Sequence, residues 1–524
     1  MKTHLPFRPE DLQQIADHGT TLENIRSQIA TFKGGLPYIS LQRPCTVGDG
    51  ITILSDADLE HYAISFAQAA SLGRVAKFVP ASGAASRMFQ LLLSVGNSTS
   101  GLSEERIASA ARAGDSEYQA VRHFVGNLKQ FAFYDDLRSA MAKGGLAVDP
   151  LIAQKHCKDI LCYLLTATGL NYAYLPKALI KFHRYADHTR TPLEEHLVEA
   201  TAYAKDSTGT ARVHFTVSPE HREVVHTYLE QVRPRYERSG RRLVVTFSVQ
   251  KPSTDTIAVD PDNEPFRDTD GKLVFRPGGH GALLENLQDL HGDVIFVKNI
   301  DNVVPDQLKA ETYRYKIALG GYLVELQNKV FYYLHKLQQE RADKRVLGQA
   351  IEFAQRELHI VLPAHLQQAS LAEKIAFLGD KFNRPLRVCG VVKNTGEPGG
   401  GPFWVTHREG DVSVQIVESS QVDLQSARQL DIWSSASHFN PVDLVCGVRD
   451  YLGRPFDLSR FADPQTGFIA RKSKEGRELK ALELPGLWNG AMAKWNTVFV
   501  EVPAITFNPV KTIFDLLRPE HQAA

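Results

Sequence analysis

Between residues 210 and 300 this chain alternates short runs of β-branched and aromatic residues with amphipathic stretches, and that alternation restricts its fold more than any other feature. Strand character stands at 76–80, 213–217, 243–249, 273–275 and 294–297. Helical spacing fills 219–232 and 282–290, between the longer runs. Strands and helices taken in turn imply an α/β fold, a mostly parallel sheet with helices on both faces. Ligands of such sheets gather at the carboxyl ends of the strands.

The rest of the chain adds helices around that core. Residues 1–70 read as an N-terminal helical segment, with apolar spacing at 9–16 and 22–30 and Thr21 placed to cap the second run. A core over 71–305 carries a helical insertion at 100–170, and a second helical insertion covers 306–382, including an amphipathic run at 308–339. Residues 383–524 read as a C-terminal α+β portion that follows the breaker loop 396–402, with strands at 403–405 and 412–417. No internal repeat is evident.

Charge excludes some partners. Sixty basic residues balance sixty acidic ones, so no global field recruits nucleic acid or an anionic membrane. The five cysteines are scattered without a C-x-x-C pair, as expected of reduced thiols in the cytoplasm. The first residues lack an apolar signal core, and the apolar-leaning stretch 160–175 is too short to span a bilayer.

Four places carry chemistry. Val79-Pro-Ala-Ser-Gly-Ala-Ala-Ser-Arg-Met88 leaves a strand as a loop of small residues, which lets backbone amides approach an anion, and Arg87 adds a bidentate donor for phosphate. Pro176-Lys177 places a point charge on a fixed loop, and Asn508-Pro-Val-Lys511 repeats the arrangement before a short helix. Asp293-Val-Ile-Phe-Val-Lys-Asn-Ile-Asp-Asn302 is an apolar strand ending on Asp301, a carboxylate that is costly there unless it is hydrogen-bonded or holds a metal. Read singly, each is compatible with ordinary loop or surface structure. No Walker motif, zinc-ligand spacing or Gly-x-Ser-x-Gly elbow occurs.

Taken in order, these segments resemble the sugar-nucleotide pyrophosphorylases, nucleotidyltransferases with a GT-A-type sheet, and most closely their UDP-sugar branch. The 80–88 loop resembles the family's glycine-rich loop, and Pro176-Lys-Ala-Leu its Pro-Lys-x-Leu motif. Pro277-Gly-Gly-His-Gly-Ala is similar to the loop that cradles the nucleotide, and Ile416-Val-Glu-Ser-Ser to a segment on the sugar side. Asn508-Pro-Val-Lys-Thr, followed by Asp515-Leu-Leu, matches a C-terminal family motif.

The resemblance implies an Mg²⁺-dependent enzyme joining an NTP, UTP by family branch, to a sugar 1-phosphate with release of pyrophosphate. It assigns Arg87, Lys177 and Lys511 to the phosphates as catalytic residues, and Asp301 to the metal. The backbone of Ala81, Ser82, Gly83, Ala84, Ala85 and Ser86, with Gly279, His280, Gly281 and Gln250, would hold the nucleotide. Glu418, Gly399 and Gly400 would meet sugar hydroxyls. Asn440 stays uncommitted between the sugar side and a metal.

The chain departs from the family in its first loop. Ser82 and Ala85 stand where glycines are usual, and a left-handed backbone at Ala85 would be strained. About 90 residues separate Arg87 from Lys177, with the helical insertion between them. Two other readings use the same sheet: a GT-A glycosyltransferase, which would show Asp-x-Asp where this chain has Asn299-Ile-Asp301, and a silent nucleotide-sugar-binding protein.

Overall fold

The computed structural model describes residues 7–96, 104–154, 156–238, 240–338, 343–396, 399–408 and 410–522. Met1 to Pro6, Glu397, Pro398 and Gln339, all within the segments read above, lie outside the described residues. The chain folds as two compact units, each gathered from three separate stretches. The first comprises residues 1–76, 250–297 and 317–504, and the second 77–249, 298–316 and 505–524.

The core of the second unit is the parallel sheet expected from the sequence. Val75–Pro80 pairs with Thr210–Val217, which pairs with Arg242–Val249, all parallel, with Val79 opposite Phe215 and Phe215 opposite Phe247. Seven of the eight residues of Thr210–Val217 are buried, as in a strand covered on both faces. The helices Pro192–Tyr203 and Arg222–Tyr236 pack on it through Leu193, Leu197, Val225 and Leu229. Thr191 caps the first of these with a capping box to Glu194, and proline at the first helical position suits its fixed φ.

The insertion between residues 100 and 170 forms Glu104–Arg112, Ser116–Gly126, Tyr134–Lys143, Val148–Gln154 and Lys158–Leu165. Phe124, Phe131, Phe133 and Leu164 form its centre, and the same core takes in Ala85, Phe89, Val303, Val510 and Ile513. The insertion is therefore packed around the loop segments rather than hung apart from them.

In the first unit, Thr46–Val47, Gly50–Thr52, Asn496–Glu501 and Leu386–Lys393 run parallel, Asp443–Gly447 pairs antiparallel with Leu386–Lys393, and Val294–Lys298 is the next strand beyond it. A three-stranded antiparallel sheet joins Ser40–Pro44, Gly401–Thr406 and Val412–Val417. A four-stranded one joins Phe275–Arg276, Thr256–Val259, Arg477–Glu483 and Phe468–Lys474. The long helix Lys309–Gln338 lies against Asp56–Ser71 at a glycine pair. A Cβ on Gly321 would fall 1.8 Å from the Tyr62 carbonyl oxygen. Among the described residues, no helix is long and apolar enough to cross a membrane.

Candidate functional site

Four sequence-distant segments close into a ring in the second unit. The loop 81–87 leaves the carboxyl end of Val75–Pro80 and turns at once into a short 3-10 turn, Ala85–Arg87. Ala84 bridges to Pro176: the Ala85 amide donates to the Leu175 carbonyl at 3.1 Å and the Lys177 amide to the Gly83 carbonyl at 3.2 Å. The Lys177 ammonium then donates to Asp301 Oδ2 at 2.8 Å and to the Val510 carbonyl at 2.9 Å. The Val510 amide donates to the Asp301 carbonyl at 3.1 Å, and Asn302 bridges to Pro509. The Ile513 amide returns to the Met88 carbonyl at 3.1 Å.

This geometry explains how the first loop manages with serine at 82 and alanine at 85. Ala84 is extended and Ala85 opens the 3-10 turn fully buried, and neither has a positive φ. The strain expected at Ala85 does not arise, because no left-handed residue is used there. Gly83 also keeps a negative φ, with open space where a Cβ would sit. Ser82, Gly83, Ala84 and the Arg87 side chain are exposed, Ser86 is half-buried and Ala81 is buried. Lys511 is exposed, and its amide is held by Asp515 Oδ2 at 2.9 Å within a capping arrangement that also engages Thr512.

A cation meets one carboxylate in this ring. Among the described residues no cluster of three His, Cys, Asp or Glu side chains could hold a metal alone. Asp301 has one oxygen committed to Lys177, and its side chain is about one-fifth exposed. These residues fit an Mg²⁺ that brings phosphate oxygens and water as its other ligands, and do not fit a resident all-protein site.

The first unit gathers the other expected residues. Gly279 has φ +75°, and a Cβ on Gly281 would meet the Pro485 carbonyl oxygen at 2.1 Å, so the loop touches the 484–485 backbone. His280 stacks on Trp488 with ring centroids 4.1 Å apart and 10° between planes. The Leu487 amide donates to its Nδ1 at 3.0 Å, so the hydrogen of the neutral ring sits on Nε2, 4.0 Å from Glu418 Oε1. Burial lowers the His280 pKa to about 4 and raises that of Glu418, whose rise Glu483 reinforces and a Trp488 hydrogen bond opposes. A neutral imidazole donor beside a carboxylate suits hydroxyl groups.

Gly400 lies beside Glu418, 3.5 Å from its Cγ as measured from an added Cβ, while Gly399 faces the Phe439 ring. Gln250 directs one of the two N–H donors of its amide to Asp255 Oδ1 at 3.3 Å. Asn440 is structural: its side chain donates to the Gly390 carbonyl and accepts from the Val442 amide, which stabilises Val442 at φ 55°.

Two groups escaped the reading of the sequence. Trp488 and Glu483, at the His280 loop, follow no pattern that links them to it. The buried Lys77, Glu199, Lys298 and His196 of the second unit carried one signal, a lysine ending an apolar strand.

Two expected results follow from these contacts. Gly281→Ala should destabilise the fold by about 1–3 kcal/mol through overpacking against the 484–485 backbone, read as a lower denaturant midpoint with unchanged slope. Burial, with His183 and Arg518 nearby, also pushes His521 down to about 3. His280 and His521 are neutral in the fold but protonated in the unfolded chain once pH falls below about 6.5. Stability should therefore decline from pH 7 toward pH 4, and His521→Gln should flatten that decline. A denaturant midpoint constant over this range would contradict it.

No curated protein matches the chain. Among solved structures, it is similar to a UDP-glucose pyrophosphorylase from Leishmania major bound to UDP-glucose, at 13% identity over 97% of this chain and 77% of that one, with a TM-score of 0.45. It is also similar to a uridine diphosphate N-acetylglucosamine pyrophosphorylase from Trypanosoma brucei bound to an inhibitor, at 12% identity over 94% and 74%, with a TM-score of 0.47. Likeness at that level carries no argument about activity. The model of a domain of unknown function, DUF4301, matches residues 8–522, and the chain belongs to that family.

Proposed function

We propose that the chain is a nucleotidyltransferase that joins an NTP, UTP in preference, to a sugar 1-phosphate and releases pyrophosphate. The observation that carries this reading is the ring in the second unit: Lys177 joins Asp301 and Val510, and backbone bonds tie these to the 81–88 loop. Four motifs noted for phosphate chemistry, spread over more than 400 residues, meet there.

A phosphate oxygen of the sugar 1-phosphate attacks the α-phosphorus in line. The bond to the bridging oxygen breaks, and pyrophosphate leaves with that electron pair. No proton transfer and no covalent enzyme intermediate is required, so positioning and charge supply the catalysis. Orientation alone is worth roughly 7–11 kcal/mol in well-aligned cases. The amides of the exposed residues Ser82, Gly83 and Ala84 and the Arg87 guanidinium receive the triphosphate, and Lys177 and Lys511 neutralise the phosphates on either side of the reacting centre. Mg²⁺ arriving with the triphosphate, and meeting Asp301, would offset the charge of its oxygens. In the first unit, His280 Nε2–H and the Glu418 carboxylate are chemically suited to ribose or sugar hydroxyls.

The test is pyrophosphate release with Mg²⁺, four NTPs and a panel of sugar 1-phosphates. Release confined to one pair, and lost on Lys177→Ala, would support the reading and name the substrates. Silence across the panel, with UTP failing to raise the melting temperature, would overturn it.

A further inference from the structure

Beneath the phosphate ring lies a set of charged side chains with almost no access to water. Lys77, Glu199 and His196 are fully buried, and Lys298 and Lys316 are 1% exposed. Glu199 on the Pro192–Tyr203 helix uses both carboxylate oxygens: Oε2 accepts from Lys77 Nζ at 2.5 Å and Oε1 from Lys298 Nζ at 2.8 Å. One turn earlier, His196 Nε2 is 3.2 Å from the carbonyl oxygens of both Asn299 and Ile300. Carbonyls only accept, so that nitrogen carries the ring hydrogen. Burial, reinforced by Lys77, holds His196 well below the ordinary histidine value and so keeps the ring neutral. Desolvation also lowers Lys77 to about 8, against the pull of Glu199, and depresses Lys316 strongly.

The sequence positions of these lysines are informative. Lys77 sits three residues before Pro80, where the small-residue loop begins, and Lys298 sits three residues before Asp301. The two segments also meet directly, the Ile300 amide donating to the Pro80 carbonyl at 3.3 Å. One carboxylate thus joins the strand leading into the loop to the strand leading into Asp301, and one imidazole fixes the turn that ends on Asp301. Buried ion pairs are often matched or exceeded in stability by apolar groups of the same volume. Two lysines bonded to one buried carboxylate under this ring are better explained by the geometry they impose than by the stability they add.

We propose that Glu199 and His196 are positioning residues: they fix the loop at 81–87 against Asp301, and so the spacing of the groups that hold phosphate. The functional half of this inference rests on the nucleotidyl-transfer reading, and the positional half does not.

The experiment uses the full chain carrying Lys77→Met, Glu199→Leu and Lys298→Met together, with His196→Leu as a second variant in case the triple replacement does not fold. Hydrogen exchange is followed at 81–87 and 299–302, beside the melting temperature and steady-state pyrophosphate release from UTP and glucose 1-phosphate. The triple variant should melt close to the wild type yet exchange at least about tenfold faster at both segments. Its kcat should fall by roughly 100-fold, with KM for UTP within about threefold. His196→Leu should speed exchange at 299–302 alone.

Unchanged exchange in either folded variant would overturn the proposal whatever the wild type does with UTP. Faster exchange with kcat intact would overturn the functional half. Faster exchange in a protein whose wild type releases no pyrophosphate would support the positional half and remove the nucleotidyl reading.

Discussion

Lys177→Ala is expected to lower pyrophosphate release by about 10²–10³-fold, the usual loss when one preorganised donor to a developing charge is removed. Its ammonium contributes at two levels. It neutralises phosphate charge in the proposed reaction, and it bonds Asp301 and the Val510 carbonyl at 2.8 and 2.9 Å. With alanine in its place Asp301 loses its counter-ion in a pocket that leaves its side chain about one-fifth exposed. Hydrogen bonds to charged groups are worth about 1.5–3 kcal/mol, so a modest fall in melting temperature should accompany the kinetic loss. Lys177→Arg should not restore activity, since a planar fork cannot reproduce a compact ammonium between a carboxylate and a carbonyl. A coupled phosphate assay on the three proteins decides the matter, and an alanine variant within tenfold of the wild type would remove Lys177 from the mechanism.

Phe89→Ala is expected to produce the largest loss of stability, about 3–5 kcal/mol. Phe89 is fully buried two residues after Arg87, with its ring 6.0 Å from that of Tyr172 in the core shared with the helical insertion. In a domain of this size each kcal/mol shifts the midpoint by about 2–4 °C, so a drop on the order of 10 °C is predicted by thermal melting. The same change should weaken pyrophosphate binding, because the Met88 carbonyl beside it holds the Ile513 amide and so the Lys511 segment. A variant that melts within a degree or two of the wild type would mean that this core collapses readily around the missing ring.

Local signals in the sequence were reliable wherever one element decided the outcome. Thr21 caps the helix it precedes, through an oxygen that accepts from the Asn24 amide. Both motif loops follow strand ends, at Pro80 and Lys298. The strands Leu386–Lys393, Asp443–Gly447 and Asn496–Glu501 were visible only as an α+β tendency, because strands buried on both faces show no alternation. At the site, spacing could nominate Lys177 and Asp301 but not show that they touch across 124 residues. It also overstated the need for glycine at position 85, since the 3-10 turn reaches the same place with a negative φ. Trp488 was illegible because stacking on His280 is a tertiary fact with no sequence period.

The discontinuous make-up of each unit has a consequence for biosynthesis. Residues 505–524, which supply Val510 and Lys511, belong to the same unit as residues 77–249. A chain growing from its N-terminus at about 5–20 residues per second therefore has that unit's strands synthesised well before residues 505–524. Until then Lys177 has no Val510 carbonyl to bond and the core around Phe89 lacks Val510 and Ile513. The nascent protein must wait with apolar surface uncovered, so pauses, chaperone dependence and premature termination would bear on it more heavily than on a protein whose domains finish in order.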